Sequence, residues 1–489
     1  MSARSRAGAL PSAPVAVGGL TLAALALRLA GVDQSLFGDE LFSYYDVHGR
    51  SLAGTLHAVR TGYELNPPLY FVLAWLFAQV GDAHSWIRVP SVLAGTAVVP
   101  LVFALGRRAA GDLAAVVASA VVALAPFAVY YGTEARAYAL LMLLVTGSAL
   151  ALLAALDRGG RRRWALYAVL CCATLYTHYL GAIALAVQGL WALVTHRDRA
   201  RPLLVASALA VVGYLPWLPG VSGKGYLWVF PRFTGSVEQL TRPLGRTLPG
   251  HPYAEPADLL GRVPALVAAA VLAGALVAGA LTLVRARRRL YPSLPLALVV
   301  VLALGYLAGV LAYAAISRHD LFVSRNLAPA FVPVAILIGA GLRRLGVRAG
   351  ALAAALLLAV LTYGSLREDA GRFQRPAFKD AAAAIDDQAR PNDVVLHVTY
   401  LSPRSELNAS PLNRDLTVNF ERPQRVFQSN RSYDQAWAAA LRGRGRLFTV
   451  AAGVGPRPPT ALRMRFRLES VTTFDGIGPL RLYVWRARA

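Results

Sequence analysis

The chain has 489 residues, enough for two or three soluble domains, yet its composition excludes that reading. Residues AVILMFWYC make up 56% of it and DEKR only 16%, against roughly 45–50% and 25% in globular chains, so polar surface is too scarce to cover a soluble particle. The formal charge of +24 is carried almost wholly by arginine, with Lys224 and Lys379 the only lysines.

These arginines punctuate apolar runs and do not gather on one soluble face, which excludes a nucleic-acid binder. Disorder, collagen and a disulfide scaffold fail on the same figures. The chain reads as a polytopic membrane protein.

The first apolar run, 14–31, follows Arg4 and Arg6 and superficially suits a signal peptide. No small-residue cleavage site precedes Asp33, and more runs follow, so an uncleaved first helix is expected. A bilayer span takes about 20 apolar residues and tolerates about 17. Further candidates are 86–106, 111–131, 138–156, 164–179, 181–195, 202–219, 263–284, 295–315, 327–342 and 349–363, eleven in all. The shortest, 164–179 and 181–195, meet at Thr177-His178-Tyr179. Cys171 and Cys172 lie inside one run without metal spacing and read as small buried side chains.

Loop charge then sets the orientation. Arg107/Arg108, Arg158 with Arg161–Arg163, Arg197/Arg199/Arg201, Arg285 with Arg287–Arg289, and Arg343/Arg344/Arg348 all fall on the side of the N-terminus, which the positive-inside rule makes cytoplasmic. The segment from Asp33 to Arg88 faces the other compartment. It carries six acids against three arginines. Within it, residues 67–80 are apolar but too short to cross, and read as an interfacial helix started by Pro67-Pro68.

An odd number of spans places the tail outside too. A small α/β domain is expected at 367–489, after a transmembrane unit at 1–366 whose first outer loop is 32–86. The tail pattern gives a helix at 376–390, a turn at Pro391-Asn392, a strand at 393–400 and β-like runs at 446–452, 464–473 and 480–486. It holds 20 basic and 12 acidic residues.

Polar groups able to carry chemistry crowd the outer rim. Asp39-Glu40 follows the first span among Phe37, Leu41, Phe42, Tyr44 and Tyr45. Two carboxylates there read either as solvated loop charge or as a functional pair, and ionisable groups held at an apolar boundary favour the second. Partial desolvation is expected to raise the carboxylate pKa and improve a base. Glu64, Asn66 and Tyr70 lie around the interfacial helix; Arg88 opens the second span either as a snorkelling anchor or as part of a site.

Glu134, Arg136 and Tyr138 follow the third span. Arg318, His319 and Arg325 lie in the outer loop before the tenth, against the inside bias of arginine, and a guanidinium there suits a phosphate. His178 reads as a hydrogen-bonded helix-junction residue. The run Lys224 to Phe233 reads as an interfacial aromatic belt or a lid over bound substrate, and Asn408-Ala409-Ser410 is a glycosylation sequon of a kind common by chance.

The order Gly-Asp-Glu, Asn-Pro-Pro-Leu-Tyr, Arg-Val-Pro-Ser, Glu-Ala-Arg-Ala-Tyr, Tyr-Thr-His-Tyr-Leu and Ser-Arg-Asn-Leu-Ala-Pro-Ala, spread over about 30–335, resembles the GT-C membrane glycosyltransferases, within them the protein O-mannosyltransferase and aminoarabinose-transferase branch with its bacterial relatives. The resemblance implies an inverting transferase at the outer face of a bacterial plasma membrane. It would use a polyprenyl-phosphate sugar as donor and an envelope glycan, lipid or protein hydroxyl as acceptor.

It further implies Asp39 as catalytic base with Glu40 supporting it, Glu134 as a second-loop acid, and Arg325 at the donor phosphate, helped by Arg136, Arg318 and His319. Relatives often carry His or Lys where this chain has Asn66, which shifts more of the phosphate binding to arginine. Some members use a divalent metal and others none, and the sequence leaves this open. The alternatives are a transporter or flippase for lipid-linked sugars, which wants ionisable groups at mid-membrane, and a membrane scaffold whose basic tail docks on anionic surfaces.

Overall fold

The computed structural model describes residues 12–62, 64–220, 230–286, 294–398, 414–443, 445–452 and 460–488. Long apolar runs become long helices. Eight are long and apolar enough to cross a membrane: Ala13–Ala30 (α1), Ala83–Ala110, Tyr138–Arg158, Arg197–Pro219, Arg262–Leu281, Leu294–Ser317, Ser324–Arg344 and Val347–Glu368. The protein is therefore a multi-pass membrane protein. Outward-facing leucines and isoleucines such as Leu22, Leu209 and Ile316 stay exposed on the bundle, as a lipid-facing surface requires.

The three other expected spans are shorter helices. Asp112–Leu124 is broken at Ala125-Pro126 and resumes as Pro126–Tyr131, and the remaining two are Arg161–Thr177 and Gly181–Thr195. Arg108 pairs with Asp157, Arg343 donates to the Ala110 carbonyl, and the Arg199 guanidinium lies against Gly159. The arginine-rich connections therefore meet at one end of the bundle. Of the expected arginines there, 287–289 lie outside the described residues.

At the opposite end the first long connection folds into three short helices, Glu40–Val47 (α2), Leu52–Thr61 (α3) and Leu69–Ala78 (α4). The last is the expected non-crossing helix. Its ten residues extend about 15 Å, half a bilayer.

The tail forms a five-stranded sheet of order β2-β1-β3-β5-β4, from Val394–Val398 (β1), Val426–Gln428 (β2), Arg446–Ala452 (β3), Phe466–Phe474 (β4) and Leu480–Ala487 (β5). β1 runs parallel to β2 and β3, whereas β5 is antiparallel to β3 and β4. Strand alternation distributes the core over two faces. Val395, Phe448 and Val450 pack on helix Phe378–Asp386, while Val394, Leu396 and Leu447 pack on helix Ser429–Arg442. β2 and the Ser429–Arg442 helix were not expected from the sequence.

This domain rests on the first connection. His84 Nε2 lies 2.6 Å from the Val418 carbonyl, Arg414 stacks over Tyr45 at 5.1 Å, and Phe37 packs against the sheet core. The sequon at Asn408 lies outside the described residues.

Candidate active site

Gly38, at φ +58°, turns the chain out of α1 and into α2. That conformation favours glycine. Asp39 then sits at the N-cap of α2 but makes no capping hydrogen bond. Its Oδ2 instead accepts from Arg325 Nη1 at 2.5 Å, across 286 residues of sequence. Arg325 is held by the tight turn Ser324–Leu327 that opens the Ser324–Arg344 span, with its guanidinium 5.7 Å from the Phe230 ring.

The Asp39 side chain is 26% exposed and that of Arg325 32%, so the pair is accessible at the molecular surface. Burial would raise Asp39, but the cations Arg325 and Arg136 outweigh it and bring its pKa below the ordinary carboxylate value. This corrects the expected upward shift: desolvation is real, and the paired guanidinium overrides it.

Glu40 has a different environment. It is wholly buried. Arg88 donates to both of its oxygens, Nε to Oε1 at 2.8 Å and Nη2 to Oε2 at 2.7 Å, and the Ala135 N–H donates to Oε1 at 2.8 Å. Arg375, from the tail, lies with Nε 3.1 Å from Oε2. Burial pushes its pKa up, but Arg375 and Arg88 together hold it low and ionised. Arg88 is neither a snorkelling anchor nor a ligand-facing group, because it also donates to the carbonyls of Val32, Gln34 and Ser35 and so pins the exit of α1.

A second knot lies beneath. Glu64 accepts from Arg136 at both oxygens, 2.5 and 3.0 Å, and from the backbone and side-chain amides of Asn66 at 2.7 and 2.9 Å. Arg136 also reaches the Asp39 carbonyl at 3.4 Å and lies 5.8 Å from the Phe71 ring. Its guanidinium is thus already engaged, which corrects the expectation that it faces a phosphate. Tyr70 donates to the Ile87 carbonyl at 2.8 Å and accepts from Ser91 at 3.0 Å, inside the core.

Glu134 is 4% exposed, and its Oε2 has no hydrogen-bond partner among the described residues. Burial, with the negative charges of Glu40 and Asp39 nearby, pushes its pKa up to about 8. Tyr138 is buried against Tyr131 at 4.8 Å and His178 at 5.8 Å. His178 Nδ1 accepts from the Leu180 N–H at 3.1 Å.

Two expected residues stand apart. Arg318 is exposed at φ +60° with no ion pair among the described residues. His319 bridges the backbone of Arg232, tying the loop to 230–233. Of the aromatic run, residues 224–229 lie outside the described residues.

Sequence reasoning missed Arg375, and also Tyr253, whose ring meets those of Phe37 and Tyr130 at 6.0 and 5.6 Å. The only available signal was topological, since both follow spans that end at this rim. Among the described residues no three His, Cys, Asp or Glu side chains converge as a metal-binding group. Asp39, Glu40 and Glu64 each face a guanidinium, so this donor set does not fit a divalent cation.

A partly exposed acid–guanidinium pair thus lies at one rim of a helical membrane bundle that also carries an α/β domain. The fold is that of the GT-C membrane glycosyltransferases. Residues 65–220 match the sequence profile of the dolichyl-phosphate-mannose-protein mannosyltransferase family. Over the whole chain the structure is similar to ArnT from Cupriavidus metallidurans in the apo state, with TM-score 0.58 and 14% identity, covering 97% of this chain and 98% of that one.

The same protein bound to undecaprenyl phosphate gives TM-score 0.58 and 16% identity over 96% and 97%. The oligosaccharyltransferase of Archaeoglobus fulgidus, in complex with Zn and sulfate, gives 0.52 and 11% over 89% and 67%. No curated protein sequence matches the chain. The likeness to the mannosyltransferase and aminoarabinose-transferase branch, read from the motifs, is upheld by the profile and the fold.

Proposed function

We propose that this chain is an inverting glycosyltransferase that moves a sugar from a polyprenyl-phosphate donor to a hydroxyl of an envelope glycan, lipid or protein. The observation that carries this reading is the Asp39–Arg325 pair at 2.5 Å, partly exposed at the mouth of α1 while the neighbouring arginines, Arg88 and Arg136, are buried on carboxylates of their own. A phosphate-bearing donor competes for Arg325, and a guanidinium binds its oxygens bidentately. Asp39, losing its cation to the phosphate, then rises in pKa and becomes the base.

The acceptor O–H gives its proton to Asp39 and its oxygen forms the bond to the anomeric carbon. The bond from that carbon to the phosphate oxygen breaks on the opposite face, and the electron pair leaves with the phosphate, stabilised by Arg325. Glu40 and Arg88 set the position of α2. The ArnT structure with undecaprenyl phosphate supports a lipid-phosphate donor for this fold.

The reading includes eleven crossings, with the N-terminus cytoplasmic, the site and the domain at 367–489 outside, and the bacterial plasma membrane as location. A transporter would need ionisable groups free at mid-membrane. Arg28, buried in α1, instead donates to helix carbonyls. The test incubates purified protein with a panel of radiolabelled polyprenyl-phosphate sugars and envelope extracts. Label should reach an acceptor with the unaltered protein and not with Asp39→Asn, and equal transfer by the two refutes the assignment.

A further inference from the structure

We infer that Arg375, delivered by the segment that follows the last membrane helix, is a positioning residue of the transfer site: acting through Glu40, it sets the helix start that carries Asp39. The inference rests on the transferase reading above for its kinetic consequence, but its geometry stands independently.

Arg375 is 3% exposed. Its Nε lies 3.1 Å from Glu40 Oε2, and its guanidinium lies 4.8 Å from the centre of the Tyr130 ring. Its backbone N–H and Nη1 donate to Gln34 Oε1 at 3.2 and 3.3 Å, and Nη2 reaches Thr133 Oγ1 at 3.5 Å. One side chain thus touches the exit of α1, the start of α2 and the loop that carries Glu134.

Simple attachment of the tail does not need such a residue. The surface pair Lys379–Asp33 at 2.7 Å, the Lys379 N–H on Ser35 Oγ at 3.0 Å and Gln34 Nε2 on Asp369 at 3.1 Å already tie tail to loop. Burying a guanidinium is costly unless it is paired, and Arg375 carries that cost one residue from Asp39. Glu40 is gripped from the membrane side by Arg88 and from the tail side by Arg375. With one grip removed, the carboxylate relaxes toward Arg88 and α2 pivots, so Asp39 leaves its register with Arg325. A misplacement of about 1 Å costs roughly 10²-fold in rate.

The test compares Arg375→Ala, Arg375→Lys and the exposed control Arg372→Ala in the full-length purified protein. It reads kcat, the donor KM, binding of undecaprenyl phosphate, and hydrogen exchange of the 33–47 backbone. Arg375→Ala should lower kcat by about 10²-fold with little change in donor KM or lipid-phosphate binding, and should speed exchange at 33–41. Arg375→Lys, which returns a cation to Glu40, should recover part of the loss, and Arg372→Ala should match the unaltered protein.

Unchanged kcat in Arg375→Ala, or a loss of kcat with exchange at 33–41 unchanged, overturns the inference. Should Arg375→Ala not fold, Arg375→Gln is measured in its place against the same two outcomes. If the unaltered protein transfers no sugar from any donor, the transferase reading fails alone. Exchange at 33–41 then still decides whether Arg375 holds the loop, and an unchanged pattern overturns that.

Discussion

Asp39 and Glu40 are adjacent in sequence and opposite in circumstance. Glu40 is wholly buried between Arg88 and Arg375, whereas Asp39 keeps a quarter of its side chain exposed and makes its ion pair with Arg325. Their amides should therefore fail in different ways. Asp39→Asn should lower transfer by about 10³-fold, within the usual range for a lost general base, while melting changes by about 1 kcal/mol or less, as for a partly exposed pair.

Glu40→Gln leaves two guanidinium groups buried without their counter-charge and should cost roughly 3–5 kcal/mol, read as a lowered melting temperature and a poor yield. Glu134 adds a pH dependence of known sign. Its pKa is raised from 4.5 to about 8 by burial and by the negative charges of Glu40 and Asp39, with the cations Arg375 and Arg136 opposing. Between those values the folded state holds a proton that the unfolded chain has lost, so stability falls as pH rises through this window. Glu134→Gln should flatten that slope in melting curves collected from pH 4.5 to 8, and an unaltered slope would contradict a protonated Glu134.

At the scale of the element, the break at Ala125-Pro126 explains an arginine inside the membrane. Proline interrupts the third expected span and strips carbonyls of their intrahelical donors. Replacement donors come from two side chains: Arg28, 0% exposed, reaches the Ala123 and Val122 carbonyls with its Nη atoms at 3.4 Å and is itself held by the Ala24 and Ala128 carbonyls at 2.9 and 3.1 Å, while Ser365 Oγ donates to the Leu124 carbonyl at 2.7 Å. Two glycines make room for Arg28, since a Cβ at Gly132 would lie 2.3 Å from its Nε and one at Gly95 2.7 Å.

Arg28→Met should therefore destabilise the bundle by about 3 kcal/mol through orphaned carbonyls. The fraction that folds should keep its transfer rate, which thermal melting in detergent and rate per folded molecule together check. A loss of rate without a loss of stability would place Arg28 in the chemistry instead.

At the scale of the molecule, hydrophobic run length made the eight long helices legible, because a bilayer sets a minimum length for a crossing helix. β1, β3, β4 and β5 were legible as short runs rich in β-branched and apolar residues, whereas β2 has only three residues, Val426 to Gln428, too few to stand out. The helix Ser429–Arg442 opens on polar residues that hide its apolar stripe.

In the site, the acid pair at a helix mouth and an arginine against the charge bias marked Asp39 and Arg325. Arg375 stayed hidden, being one of 20 basic residues in the tail with nothing local to single it out. Alternation of sides along the chain yields the sharpest test of topology. Counting eleven crossings, residue 61 and residue 162 lie on opposite sides of the membrane, and residue 344 shares the side of 162. Counting only the eight long helices, all three fall on the same side.

With Cys171 and Cys172 replaced by serine, Thr61→Cys should react with an impermeant maleimide in intact cells, whereas Arg162→Cys and Arg344→Cys should react only after permeabilisation. Labelling of all three from outside would reduce the crossings to eight and detach the arginine-rich end from the cytoplasm. Asp39 would then keep its compartment, because only α1 precedes it under either count.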